Sequence, residues 1–119
     1  MALKPILIVE GDFGIRSSLQ LFFEADGYPV LLADHGQAAL DLLEKNSTPK
    51  PGLIILDFMM PVMDGPSFLL ELQRNHPEIF AHIPIFIISA GAAPQLTIKT
   101  TGFLKKPFDL NELSRVAKQ

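Results

Sequence analysis

The chain contains no cysteine. Disulfides, cysteine metal clusters and thiol nucleophiles are therefore excluded, and any chemistry falls to oxygen and nitrogen groups. It also lacks a long hydrophobic run. The N-terminal MALKPILIVE carries one Lys and a four-residue apolar stretch, far short of a signal-peptide core or a membrane span, so a cytoplasmic protein without membrane contact is expected. Basic clusters are missing too. With a net charge of −3 and Lys and Arg scattered along the chain, there is no electrostatic footprint for nucleic acid, and any role in transcription would pass through a protein partner.

What is present is apolar residues, 48% of the chain against 19% charged. That balance is too hydrophobic for disorder and suits a sheet buried on both faces. At 119 residues the chain is long enough for one ordinary domain, 1–119, with one core, and too short for two.

Three short runs rich in β-branched residues read as buried parallel strands: Ile6 to Val9, Leu53 to Leu56 and Ile83 to Ile88. Two weaker candidates are Pro29 to Leu32, nearer an edge because of its Pro, and Gly102 to Lys105. Between them, helical spacing puts Ile15, Leu19, Phe22 and Phe23 on one face, then Ala39, Leu42 and Leu43, then Phe68, Leu69 and Leu72. Strand and helix alternate, which predicts right-handed βαβ units and an α/β doubly wound parallel sheet of five strands. Gly27 closes the first helix, Gly36 precedes the second, Asn46 to Gly52 forms a loop, and Asp64 with Gly65 opens the third. The fourth helix, expected between Ala90 and Thr101, contains Gly91, Pro94 and β-branched residues, so a shortened or frayed helix is expected there.

In such sheets functional groups collect at the carboxyl ends of the strands. Those ends carry Glu10 and Asp12, Asp57, Ser89 and Lys106. Converging carboxylates repel one another unless a cation sits among them, and hard oxygen ligands favour Mg²⁺. A lysine ammonium can hold a phosphoryl oxygen by charge while a serine hydroxyl donates to another. Met59, Met60 and Met63 read as turn and core packing rather than a soft-metal cluster. His35, His76 and His82 share no ligand spacing and read as surface residues.

The segments ILIVEGDFGIR, LDFMMPVMDG, IISA and FLKKPF, in this order, resemble the response-regulator receiver domain of two-component signalling, over essentially the whole chain. The resemblance implies a flavodoxin-like receiver fold in which Asp57 takes a phosphoryl group from a histidine kinase or phosphotransfer protein, forming an acyl phosphate. It further implies Mg²⁺ held by Glu10, Asp57 and the Met59 carbonyl, with Asp12 as a further candidate. Ser89 and Lys106 would bind phosphoryl oxygens, the Lys106–Pro107 bond would be cis, and Phe103 would be the switch aromatic. Such a domain is a switch rather than an enzyme, catalysing at most its own phosphoryl transfer and autodephosphorylation, and it acts on a downstream protein target.

The sequence departs from the family at two places. Where receivers carry two adjacent acids, this chain reads Glu10, Gly11, with Asp12 one place late; weak Mg²⁺ binding and slow phosphorylation follow unless Asp12 substitutes. Ser89 and Lys106 are also closer in sequence than the family norm by about five residues, more than one helical turn. The competing reading is a pseudo-receiver, an interaction module that signals without phosphate. A flavin carrier or phosphatase on the same architecture fits poorly, because EGDFG sets two acids where backbone amides would cradle phosphate, and Met59 stands where a second acid would be needed. The chain is either a stand-alone regulator or one piece of a larger protein.

Overall fold

A computed structural model of the chain describes residues 3–45, 47–60, 62–91 and 100–118. The elements run β1 (Ile6–Val9), α1 (Phe13–Ala25), β2 (Val30–Ala33), α2 (Gly36–Glu44), β3 (Leu53–Asp57), α3 (Gly65–Asn75), α4 (Pro77–His82), β4 (Ile85–Ser89), β5 (Gly102–Lys105) and α5 (Leu110–Ala117). All five strands are parallel and lie in the order β2-β1-β3-β4-β5. The doubly wound five-stranded sheet expected from the alternation is thus the observed fold.

The apolar runs are continuous because both faces of the sheet are covered. Side-chain alternation divides each strand between two cores. Leu7, Val9, Ile54, Leu56, Ile85 and Ile87 pack with α2 and α3 on one face. Ile6, Ile8, Leu53, Ile55, Phe86, Ile88 and Leu104 pack with α1 and α5 on the other. Phe23, Phe68, Leu69 and Leu72 are fully buried as their spacing predicts.

Three expectations are corrected. The strand expected from Ile83 begins at Ile85, because Pro77–His82 forms the short helix α4 and Ile83 is its C-cap. Its signals are Pro at the start and Glu78 in the first turn, but six residues are too few for a readable period. In α2 the buried residue beside Ala39 and Leu43 is Leu40, with Leu42 half-buried, since an i, i+3, i+4, i+7 stripe starting at Gly36 selects residue 40. Two histidines are not simple surface residues. His35 caps α2, its Nδ1 accepting from the Ala38 amide at 3.1 Å, and His76 is half-buried 3.5 Å from Glu44. Met60 and Met63 pack against the core as read, whereas Met59 is exposed. The expected shortened helix between Ala90 and Thr101 falls on 92–99, outside the described residues.

Close approach of backbone explains Gly102. A Cβ there would lie 2.6 Å from the ring of Phe86 on the neighbouring strand. Gly102→Ala is therefore expected to destabilise the fold by about 1–3 kcal/mol through overpacking. Urea unfolding should show the loss, and Phe86→Leu should recover part of it in the double variant; simple addition of the two losses would show that Phe86 is not what the glycine accommodates.

Candidate functional site

Among the described residues the buried polar or charged ones are Glu10, Asp57 and Ser89. All three stand at the carboxyl ends of strands, where the sequence reading placed them. Burying a charge is costly unless it is paired, so this concentration marks a site rather than a core.

Parity along the strands decides which side chains meet. Glu10 continues the Ile6, Ile8 series, Asp57 the Leu53, Ile55 series, and Lys106 follows two residues after Leu104, so all three project to the α1 and α5 side of the sheet. They converge there. Lys106 Nζ lies 2.8 Å from Glu10 Oε1 and 3.3 Å from Asp57 Oδ1. The neighbouring Lys105 has the opposite parity and is exposed. Glu10 Oε1 has no well-aligned hydrogen bond, so its contact with the ammonium is an ion pair. Its Oε2 accepts from the Asp12 amide at 2.9 Å. Asp57 Oδ1 also accepts from the Met59 amide at 3.4 Å.

Ser89 belongs to the other parity series. Its Oγ accepts from the Gly91 amide at 3.3 Å, and its carbonyl accepts from the Lys106 amide at 2.7 Å, so it adjoins the ammonium-bearing segment through backbone. The Lys106–Pro107 bond is cis, as expected. Phe103, half-buried, packs toward the α2 and α3 core. Asp12 is the N-cap of α1, its Oδ1 accepting from the Ile15 amide at 2.9 Å. That bond ties one oxygen of Asp12 to the helix end. Among the described residues no group of three or more His, Asp or Glu is arranged to hold a metal. Gly11 does not use its backbone freedom, since Gly27 is the described glycine with positive φ.

Two further features were missed in the sequence. Gly65 opens α3 directly against the acceptor strand, where a Cβ would lie 3.0–3.1 Å from Phe58 Cα and the Asp57 carbonyl oxygen. Arg16 donates to the Glu10 and Gly11 carbonyls at 2.8 and 3.4 Å. Only the position of Gly65 after Asp64 hinted at the first; nothing in the spacing pointed to the second.

Electrostatically the site is a carboxylate pair sharing one cation. Burial is the main cause raising the Glu10 pKa above its ordinary value of 4.5, with the nearby Asp57 acting the same way, against the lowering effects of the Asp12 amide and Lys106. Burial would lower the Lys106 pKa, but the close contacts and charges of Glu10 and Asp57 together outweigh it, and the pKa is raised from its ordinary 10.5.

Comparison with known proteins agrees with the fold. The response regulator receiver domain family matches residues 6–118. The chain is 32% identical over 115 residues to sensor kinase CckA of Brucella abortus, covering 96% of this chain and 12% of that protein. It is 35% identical over 113 residues to response regulator MprA of a Mycobacterium species, covering 91% of this chain and 46% of that one. The chain thus spans half or less of these relatives. Among solved structures, chemotaxis protein CheY4 of Vibrio cholerae superposes with a TM-score of 0.82 at 27% identity, covering 97% of this chain and 99% of that one. The receiver domain of sensor histidine kinase PA1611 from Pseudomonas aeruginosa, solved with a magnesium ion coordinated in its active-site cleft, gives 0.83 at 26% identity, covering 98% and 96%.

A raised folded-state pKa means that folded Glu10 holds its proton more tightly than the unfolded chain does. The associated stability is complete below pH 4.5 and is lost as pH rises through the raised value. In metal-free buffer, the stability of the parent relative to Glu10→Gln should therefore fall as pH rises from 4.5 towards neutrality. A difference independent of pH in thermal unfolding would contradict the burial of this carboxylate.

Proposed function

The chain belongs to the response regulator receiver domain family, and from that membership we propose that it is a phosphoacceptor switch whose nucleophile is Asp57. The observation that carries this reading is Lys106 Nζ at 3.3 Å from Asp57 Oδ1, in a buried pocket at the end of β3. A carboxylate oxygen of Asp57 attacks the phosphorus of a phosphohistidine on a partner kinase or phosphotransfer protein. The P–N bond breaks, an acyl phosphate forms on Asp57, and the imidazole departs with the electron pair and takes up a proton. Lys106 then trades its contact with the acceptor carboxylate for a phosphoryl oxygen, and Ser89 turns its hydroxyl from the Gly91 amide to another.

Such a step calls for a divalent cation, and the residues present fit one with a thinned ligand set. Glu10 and Asp57 already converge on a positive charge, and the Met59 carbonyl follows on the loop; Asp12 can join only through the oxygen not engaged in its cap. Mg²⁺ bound there would neutralise phosphoryl oxygens during in-line transfer. With two carboxylates offset by one lysine, the attraction for the metal is weak.

Phosphorylation would bias a two-state equilibrium, with Ser89 drawn toward the phosphate and the half-buried Phe103 taking up the space that this opens, so that a downstream protein reads the altered surface. Exchange with a kinase fits a cytoplasmic location. It acts as a signalling switch, catalysing at most its own phosphoryl transfer and autodephosphorylation.

Incubation with acetyl phosphate and Mg²⁺, followed by intact mass spectrometry or Phos-tag gels, should show a phosphoryl adduct on the parent chain and none on Asp57→Asn. Titrating Mg²⁺ against amide shifts near residue 57 should give saturation that tightens in Gly11→Asp. Absence of both an adduct and site-specific shifts would favour the pseudo-receiver reading, a docking module independent of phosphate.

A further inference from the structure

The β1–α1 turn, which carries Glu10, is held by side-chain contacts that neither the metal nor the phosphoryl step uses. Arg16 is the fourth residue of α1. A cation so near a helix N-terminus meets the positive end of the helix dipole, so its placement is unfavourable by that effect alone. The guanidinium is directed back over the helix end. Nη1 donates to the Glu10 carbonyl at 2.8 Å and lies 3.4 Å from the Gly11 carbonyl, while Cζ stacks 5.6 Å from the centroid of the Phe13 ring. The ring itself is 73% exposed, so it serves as a platform for the cation rather than as part of the core.

We propose that Arg16 is a positioning residue for the acceptor site: by clamping the Glu10 and Gly11 carbonyls it fixes the turn so that the Glu10 carboxylate points at Lys106. The inference rests on the reading of Asp57 as phosphoacceptor. Glu10 is aimed from two ends. Its Oε2 is held by the Asp12 amide and its Oε1 by the ammonium, and both contacts require the backbone of residues 10–12 to keep one path. Gly11 is the weak point of that path, because a glycine has no Cβ to restrict it. Arg16 bonds the carbonyls of the two peptide planes that meet at the Gly11 Cα and so supplies the restriction from outside.

The test compares Arg16→Ala and Arg16→Lys with the parent in the full chain, by amide hydrogen exchange and by the rate of phosphorylation from acetyl phosphate at saturating Mg²⁺. In Arg16→Ala the Asp12 amide should exchange about tenfold faster or more, while Leu7 and Ile55 in the central strands keep their protection. Phosphorylation should slow several-fold, and the lysine variant, which can still reach the two carbonyls, should recover most of both. The proposal is overturned if the Asp12 amide stays as protected as in the parent. It is equally overturned if both variants lose protection in the strands as much as in the turn, since Arg16 would then act only on global stability. If the parent takes no phosphate, the acceptor reading fails, and the Asp12 exchange comparison still decides the role of Arg16.

Discussion

One ammonium group, Lys106 Nζ, stands 2.8 Å from a fully buried glutamate and 3.3 Å from an almost fully buried aspartate, and this end of the sheet is arranged around keeping that trio together. Two carboxylates this close would repel one another without a cation between them. The lysine prevents that, and it can because β5 runs parallel to β4 with Ser89 opposite Lys105, which brings residue 106 over the mouth of the pocket. The backbone bond from the Lys106 amide to the Ser89 carbonyl holds that register one step past the strand. Buried ion pairs are poor sources of stability, because desolvation cancels much of the attraction. Their retention here is explained by what the site must do.

On the proposed reading, the same trio sets the balance between phosphate and metal. Glu10 and Asp57 against Lys106 leave a single net negative charge, and Asp12 spends one oxygen on the cap of α1. A third free carboxylate would strengthen the pull on a divalent ion and also the repulsion in its absence. Gly11 lessens both. On the proposed reading, the pocket is therefore less dependent on metal and binds it weakly.

Much of this was legible in the chain. Continuous apolar runs too short for a helix and ending in acid or serine identified β1, β3 and β4 and the residues at their ends, whereas Gly102 to Lys105, partly exposed and opening on glycine, gave β5 only a weaker signal. The motif order carried the family. Less legible was anything set by a single turn. The helix Pro77–His82 is too short for a period, and Leu40 was left out of the expected stripe although the start of α2 at Gly36 places it there. The capping roles of Asp12 and His35 depend on backbone angles at helix starts, which side-chain identity alone does not determine. The Arg16 clamp joins a helix to the loop before it, and no spacing rule describes a side chain that turns back on its own element.

Lys106 stands within ion-pair distance of both carboxylates, and a double-mutant cycle between Asp57→Asn and Lys106→Met, followed by urea unfolding at neutral pH in metal-free buffer, measures its coupling to the acceptor carboxylate directly. Replacing the aspartate should stabilise the lysine-free protein more than it does the parent, giving a coupling of about 0.5–3 kcal/mol. Additivity of the two substitutions would mean that the ammonium and the acceptor carboxylate act independently, which would contradict the shared-cation site.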